Sequence, residues 1–255
     1  MKTWLIATLA LAAAAGVQAQ TTDPLKAAVA ADNRLVGNVA RDNYRHPYET
    51  LSFFGIKPTD TVVELVPGGG WFTEILAPYL RDGGQLYAAD GGGVRFKAKM
   101  DSMGVYSKVK ITSFDPAKGQ FDIAPPGSAD AVLTFRNVHN WMNGGQAQAV
   151  FDAAFKALKP GGTLGVEEHR LPASRTQDPK APNGYVHEAT VIQFAEKAGF
   201  KLAGKSEVNA NPKDTADHPD GVWTLPPTYA LKDKDRAKYQ AIGESDRMTL
   251  KFVKP

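Results

Sequence analysis

The chain has 255 residues, a formal net charge of +3, 43% hydrophobic and 22% charged residues, and no cysteine. That balance fits one large α/β domain, and a charge this near neutral, with no long basic run, argues against a nucleic-acid partner. The missing cysteines exclude disulfides, a thiol nucleophile and cysteine-ligated metal.

In chain order, Lys2 is followed by an apolar run from Trp4 to Val17, with no further charge until Asp23. Val17-Gln18-Ala19 then precedes Gln20, so residues 1–19 read as a secretory signal peptide and the product as exported, to the periplasm. The run is shorter than the ~20 residues of a spanning helix, and no later run is longer, so no membrane span is expected after cleavage. Residues 20–32 read as a loose linker. Residues 33–54 read as a helical arm broken at Pro47, with Arg34, Arg41 and Arg45 set among Tyr44 and Tyr48.

From residue 55 to 255 the pattern predicts one domain of alternating elements. Strands are expected at 61–66, 85–90, 108–112, 129–135, 163–167, 201–208 and 248–253, with helices at 71–80, 96–103, 147–158 and 188–198. This is a Rossmann-like, doubly wound, mostly parallel sheet of seven strands. No helix is legible between the last two strands, which makes the final one antiparallel. An insertion of about 209–246, rich in proline and charge, separates them; it reads as a substrate lid or a surface loop.

The first strand carries Glu64 and runs into Pro67-Gly68-Gly69-Gly70-Trp71-Phe72-Thr73. Glycines there let a backbone approach a ligand and present amides at a helix start. Gly68 and Gly70 fit a dinucleotide fingerprint, but Thr73 stands where its third glycine belongs, which points away from a nicotinamide cofactor. An acidic strand end suits a cofactor with a cationic amino-acid end. Asp90, closing the second strand, is placed to accept from ribose hydroxyls or to cap the next turn. Asp115 is placed to accept from an adenine amino group or to open the turn at Pro116.

The segment VVELVPGGGWFTEIL resembles motif I of class I S-adenosylmethionine-dependent methyltransferases, and LYAAD resembles their acidic second motif. SADAVLTFRNVHNWM is similar to their fourth-strand segment, and FDAAFKALKPGGTLGV to the Leu-Lys-Pro-Gly-Gly element before the fifth strand. Within that group ARDNYRHP, PGGGW, FRNVHNW and DRMTLKFVKP resemble a branch of exported bacterial members. The resemblance implies S-adenosyl-L-methionine as cofactor, held by Glu64, Gly68, Gly70, Asp90 and Asp115, with Asn137 near the sulfonium and the acceptor. Val66 replaces the first glycine of the family's run.

Beyond the strand ends gather Arg136, Asn137, His139, Asn140 and Trp141, with Glu167, Glu168, His169 and Arg170. His139 is the candidate general base, or a polar residue that orders its loop. Arg41, Tyr44, Arg45 and Trp141 are candidate substrate contacts, the two arginines suiting an anionic acceptor; a solvated helix end is the other reading of the arm. No metal-ligand spacing is legible, so no metal is expected. The resulting expectation is methyl transfer to a small-molecule or envelope acceptor. The other class is an exported, non-catalytic binding protein that reuses the fold. No signal of oligomeric state is present.

Overall fold

The computed structural model describes residues 23–89 and 93–255. The expected signal peptide, residues 20–22 and Asp90 lie outside the described residues.

Four short helices come first: α1 (Pro24–Val29), α2 (Val36–Val39), α3 (Asp42–Arg45) and α4 (Pro47–Phe54). A loose linker was expected at 20–32, yet its described part holds a helix. The Asp23 carboxylate caps the amides of Leu25 and Lys26, and Leu25 and Ala28 are buried. Two apolar positions in a small-residue stretch are too few to show as a periodic pattern. At Pro47 the chain turns through left-handed His46 (φ +38°), and the proline opens α4, where its missing N–H costs nothing.

The alternation follows: β1 (Thr61–Leu65), α5 (Thr73–Leu80), β2 (Gln85–Ala89), α6 (Val94–Ser102) and β3 (Lys110–Thr112). After a small hairpin of β4 (Phe114–Asp115) and β5 (Gln120–Phe121) come β6 (Ala129–Phe135), α7 (Val138–Gly144), α8 (Ala147–Ala157) and β7 (Leu158–His169). The chain closes with α9 (Glu188–Ala198), β8 (Lys201–Ser206), α10 (Arg236–Ile242) and β9 (Arg247–Val253). Seven strands form one sheet in the order β3-β2-β1-β6-β7-β9-β8. Only β9 runs against the others, antiparallel to both β7 and β8, as expected.

Side chains alternate between the two faces of each strand, and the core divides accordingly. Val63, Leu65 and Val132 pack under α7, α8 and α9, whereas Val62, Leu133 and Phe135 pack under α1, α4, α5 and α6. The strand order reverses between β1 and β6, which opens a crevice beyond their carboxyl ends.

The insertion is tied down rather than loose. Asp214 accepts from Tyr185 Oη at 3.1 and 3.0 Å and from the amides of Ala216 and Asp246. Arg170 forks onto Asp246 at 2.8 and 2.9 Å. A 3-10 turn (Gly221–Thr224) and α10 form inside it, so a helix does stand between the last two strands. Among the described residues no helix is long and apolar enough to cross a membrane.

Candidate functional site

β1 delivers Glu64, 2% exposed, beneath the glycine turn, where it accepts from Thr73 Oγ1 at 2.6 Å. Thr73 therefore anchors the carboxylate from the first turn of α5, a role that its place in a glycine pattern does not disclose. The turn itself is left-handed at Val66 (φ +47°), Gly68 (φ +59°) and Gly70 (φ +74°). A Cβ at Gly68 or Gly69 would meet nothing within 4 Å, so the turn faces open space; at Gly70 it would press Phe96 at 3.3 Å. Lys99 of α6 grips the turn from outside, donating to Gly69 O at 2.8 Å and pairing with buried Glu74 at 2.5 Å.

That open space is a cavity of about 280 Å³, lined by Glu64, Val66 to Gly69, Trp71 and Asn137, with arm residues Asn38, Arg41 and Arg45 across from them. Asn137, at the end of β6, donates to Leu65 O at 3.2 Å and so bridges the two strands at the crevice. Trp71 fastens the arm. Its Nε1 donates to Asn38 O at 3.1 Å, and the guanidiniums of Arg34 and Arg45 lie over its ring at 5.0 and 4.8 Å.

A second cavity of about 310 Å³ adjoins the first and shares Arg41, Arg45 and Arg136 with it. His139 and His169 line it, their rings 5.5 Å apart. His139 Nδ1 lies 3.0 Å from Glu168 Oε1, and Glu168 also accepts from the amides of His139 and His169 at 3.2 and 2.8 Å. A carboxylate in that contact calls for a proton on Nδ1, so the lone pair of the neutral ring lies on Nε2. His169 Nδ1 is 2.6 Å from Ser245 Oγ. Burial, then the neighbouring His139, Arg247, Arg136 and Arg45, push the His169 pKa well below its ordinary 6.5 and keep the ring neutral.

Sequence reasoning named His139 but missed Glu168 as its partner, because the two stand 29 positions apart on α7 and β7. His139, Glu168 and His169 also bring ligand atoms within 4.8 Å of one another, a set that could hold a metal ion. Against a dication stand the arginines that line the same cavity, Arg41, Arg45, Arg136 and Arg247.

Those arginines cluster around buried acids. Glu244 pairs with Arg41 Nε (2.5 Å), Arg45 Nε (3.4 Å) and Arg247 Nη2, while Glu167 pairs with Arg136 Nη1 (3.2 Å) and Arg247 Nε (3.6 Å). These cations hold the Glu244 carboxyl at about 2 despite its burial. The other expected site residues fall elsewhere. Trp141 is 6% exposed and packs edge-on to Phe114 at 6.2 Å, inside the core. Tyr44 lines a separate cavity beside His46 and Asn209, although its carbonyl accepts from Arg247 Nη1 at 3.0 Å. Asp115 is ion-paired to Lys118 at 2.7 Å in the β4–β5 hairpin and lines neither cavity.

No family model matches the chain, and no curated protein does. Solved structures do. A S-adenosylmethionine-dependent methyltransferase from Aquifex aeolicus superposes with a TM-score of 0.55 at 19% identity, over 73% of this chain and 93% of that one. The 4+2 cyclase SpnF gives a TM-score of 0.62 at 18% identity, over 91% and 92%. Phosphoethanolamine N-methyltransferase 2 of Haemonchus contortus, solved with S-adenosyl-L-methionine, gives 0.56 at 16%, over 83% of this chain and 53% of that one. The chain thus has the Rossmann-like fold of class I methyltransferases. The cyclase among its neighbours illustrates that this fold does not by itself fix a reaction.

Proposed function

We propose that this protein is an exported S-adenosyl-L-methionine-dependent methyltransferase for a small-molecule acceptor. The observation that carries the reading is the open cradle beneath Gly68 and Gly69, with buried Glu64 as its floor, joined directly to a second cavity that holds a histidine–carboxylate pair. Glu64, Gly68, Gly69 and Asn137 are assigned to the methionine end of the cofactor, and Asp90, just past β2, to its ribose. When bound, that cofactor supplies an electrophilic methyl group on a sulfonium.

The remaining work falls to this chain's own groups. His139 Nε2 takes the acceptor's proton, and Glu168 behind Nδ1 stabilises the imidazolium that results. His169, tethered to Ser245 and kept neutral chiefly by its burial, lines the same cavity beside His139 without adding charge. Arg136, just past β6, lines both cavities together with Arg41 and Arg45 and sets their junction, so alignment of acceptor with methyl donor supplies much of the rate.

Calorimetric titration of the folded protein with S-adenosylmethionine and S-adenosylhomocysteine tests this. Micromolar binding is expected, weakened at least about tenfold, or about 1.4 kcal/mol, by Asp90→Ala. Folded protein that binds neither compound would overturn the reading and leave the exported, non-catalytic binding protein. Removal of residues 1–19 belongs to the proposal; N-terminal sequencing of the periplasmic protein should begin at Gln20, and an intact Met1 would refute export by this route.

A further inference from the structure

Among the described residues no carboxylate lines the second cavity: its titratable wall consists of Arg41, Arg45, Arg136, Arg247, His139 and His169. The compensating acids Glu167, Glu168 and Glu244 stand behind that wall, 0%, 0% and 3% exposed. Their partners leave donors over. Among the described residues a carboxylate takes only Nε of Arg41, Nε of Arg45 and Nη1 of Arg136. Each guanidinium carries five N–H groups in a planar fork, so most of those of Arg41, Arg45 and Arg136 remain for whatever the cavities hold. Arg45 is only 4% exposed, and burying a guanidinium with spare donors is costly unless an acceptor meets them.

The side facing this wall has the opposite character. Val222, Pro226 and Pro227 of the insertion are apolar, and Trp223, 38% exposed, stands edge-on to His139 with ring centroids 6.0 Å apart. One cavity therefore presents guanidinium forks, a histidine ring and an indole.

We infer that the second cavity receives a small organic oxyanion, a carboxylate or phosphate ester with a flat apolar body, its anionic group held by Arg136, Arg41 and Arg45 and its body laid against Trp223. This rests on the methyltransferase reading for the identity of the ligand as methyl acceptor, but the anion site itself stands on the wall described above. Its function would be to fix one end of the acceptor so that the other reaches His139.

The test labels the whole protein with 5-fluorotryptophan. Of the four tryptophans, Trp71 lines the first cavity and Trp223 the second, so fluorine resonances assigned by Trp→Phe variants report each separately. The probes are 4-hydroxybenzoate and its neutral isostere 4-hydroxybenzamide. Saturable movement of the Trp223 signal by the acid is expected, with the amide at least about tenfold weaker, the loss appropriate to one charge-assisted hydrogen bond. Arg136→Gln should weaken the acid by a similar factor, and Arg136→Lys should retain more of its affinity. Equal binding of acid and amide, or a Trp223 signal that neither moves, would overturn the inference without any variant. S-adenosylmethionine is titrated in parallel: a Trp71 response to it with Trp223 silent to the acid refutes the anion site alone. The reverse pattern refutes the cofactor reading and leaves the anion site standing.

Discussion

At the scale of single residues, the crevice is framed by two backbone positions that ordinary side chains avoid. Val66, just past β1, has φ +47°, and Arg136, just past β6, has φ +60°. A left-handed conformation costs a residue with a Cβ roughly 1–2 kcal/mol, and a β-branched residue there is an outlier. Both residues line the first cavity, and such strain is retained where surrounding structure enforces it, often at functional sites. At Val66 the enforcement is visible: its amide donates to Ala89 O at 2.8 Å and its side chain packs on the core. The order of substituents should therefore invert. Elsewhere in regular structure glycine is less stable than alanine by about 0.5–1 kcal/mol, but Val66→Gly should be more stable than Val66→Ala by about 1 kcal/mol. Urea unfolding of the two variants decides this, and alanine equal to or above glycine would show that the turn stores no such strain.

At the scale of elements, the glycine turn is held from outside as well as from the sheet. Lys99 of α6 reaches across to Gly69 O and pairs with Glu74 of α5, whose side chain is 0% exposed. The same glutamate accepts from the amide of Leu35 at 3.3 Å, and its carbonyl takes Asn33 Nδ2 at 2.8 Å, so arm, α5 and α6 meet at one buried charge. Removing the partner of a buried ion costs about 3–5 kcal/mol, whereas removing both charges costs far less. Lys99→Met should accordingly lose about 3 kcal/mol in chemical denaturation. Adding Glu74→Gln to it should restore most of that loss, because the amide needs no counter-charge. A single variant within about 0.5 kcal/mol of the parent, the size of an ordinary surface change, would mean that α6 does not hold the turn.

At the scale of the whole molecule, the sheet was legible and much of the site was not, for one physical reason. Strand and helix periodicity is local, so the alternation, the antiparallel β9 and the acidic end of β1 could be read from neighbouring residues. The arginine cluster is not local: Arg41 meets Glu244 across 203 positions and Arg45 across 199, joining the arm to the segment before β9. No spacing rule predicts that a helical arm will be locked by an acid near the other end of the chain. The same distance makes the cluster a clasp for the entire fold, and its titration should control acid stability. The folded pKa of Glu244 is about 2 against an ordinary 4.5, so its contribution is complete above pH 4.5 and disappears as pH falls towards 2. By linkage that contribution is on the order of 3 kcal/mol. His169 also has its folded pKa lowered, from 6.5. Below that pH the unfolded chain binds the extra proton more readily than the folded one, so stability falls with pH here too, beginning earlier. Denaturation midpoints should therefore decline in two limbs, the first starting near pH 6.5 and the second near 4.5. His169→Asn, which keeps a donor or acceptor for Ser245 but cannot take up a proton, should abolish the first limb and leave the second. Identical profiles for parent and variant between pH 7 and pH 5, a range that spans the ordinary histidine pKa, would show that His169 is not held neutral by its burial and the cations around it.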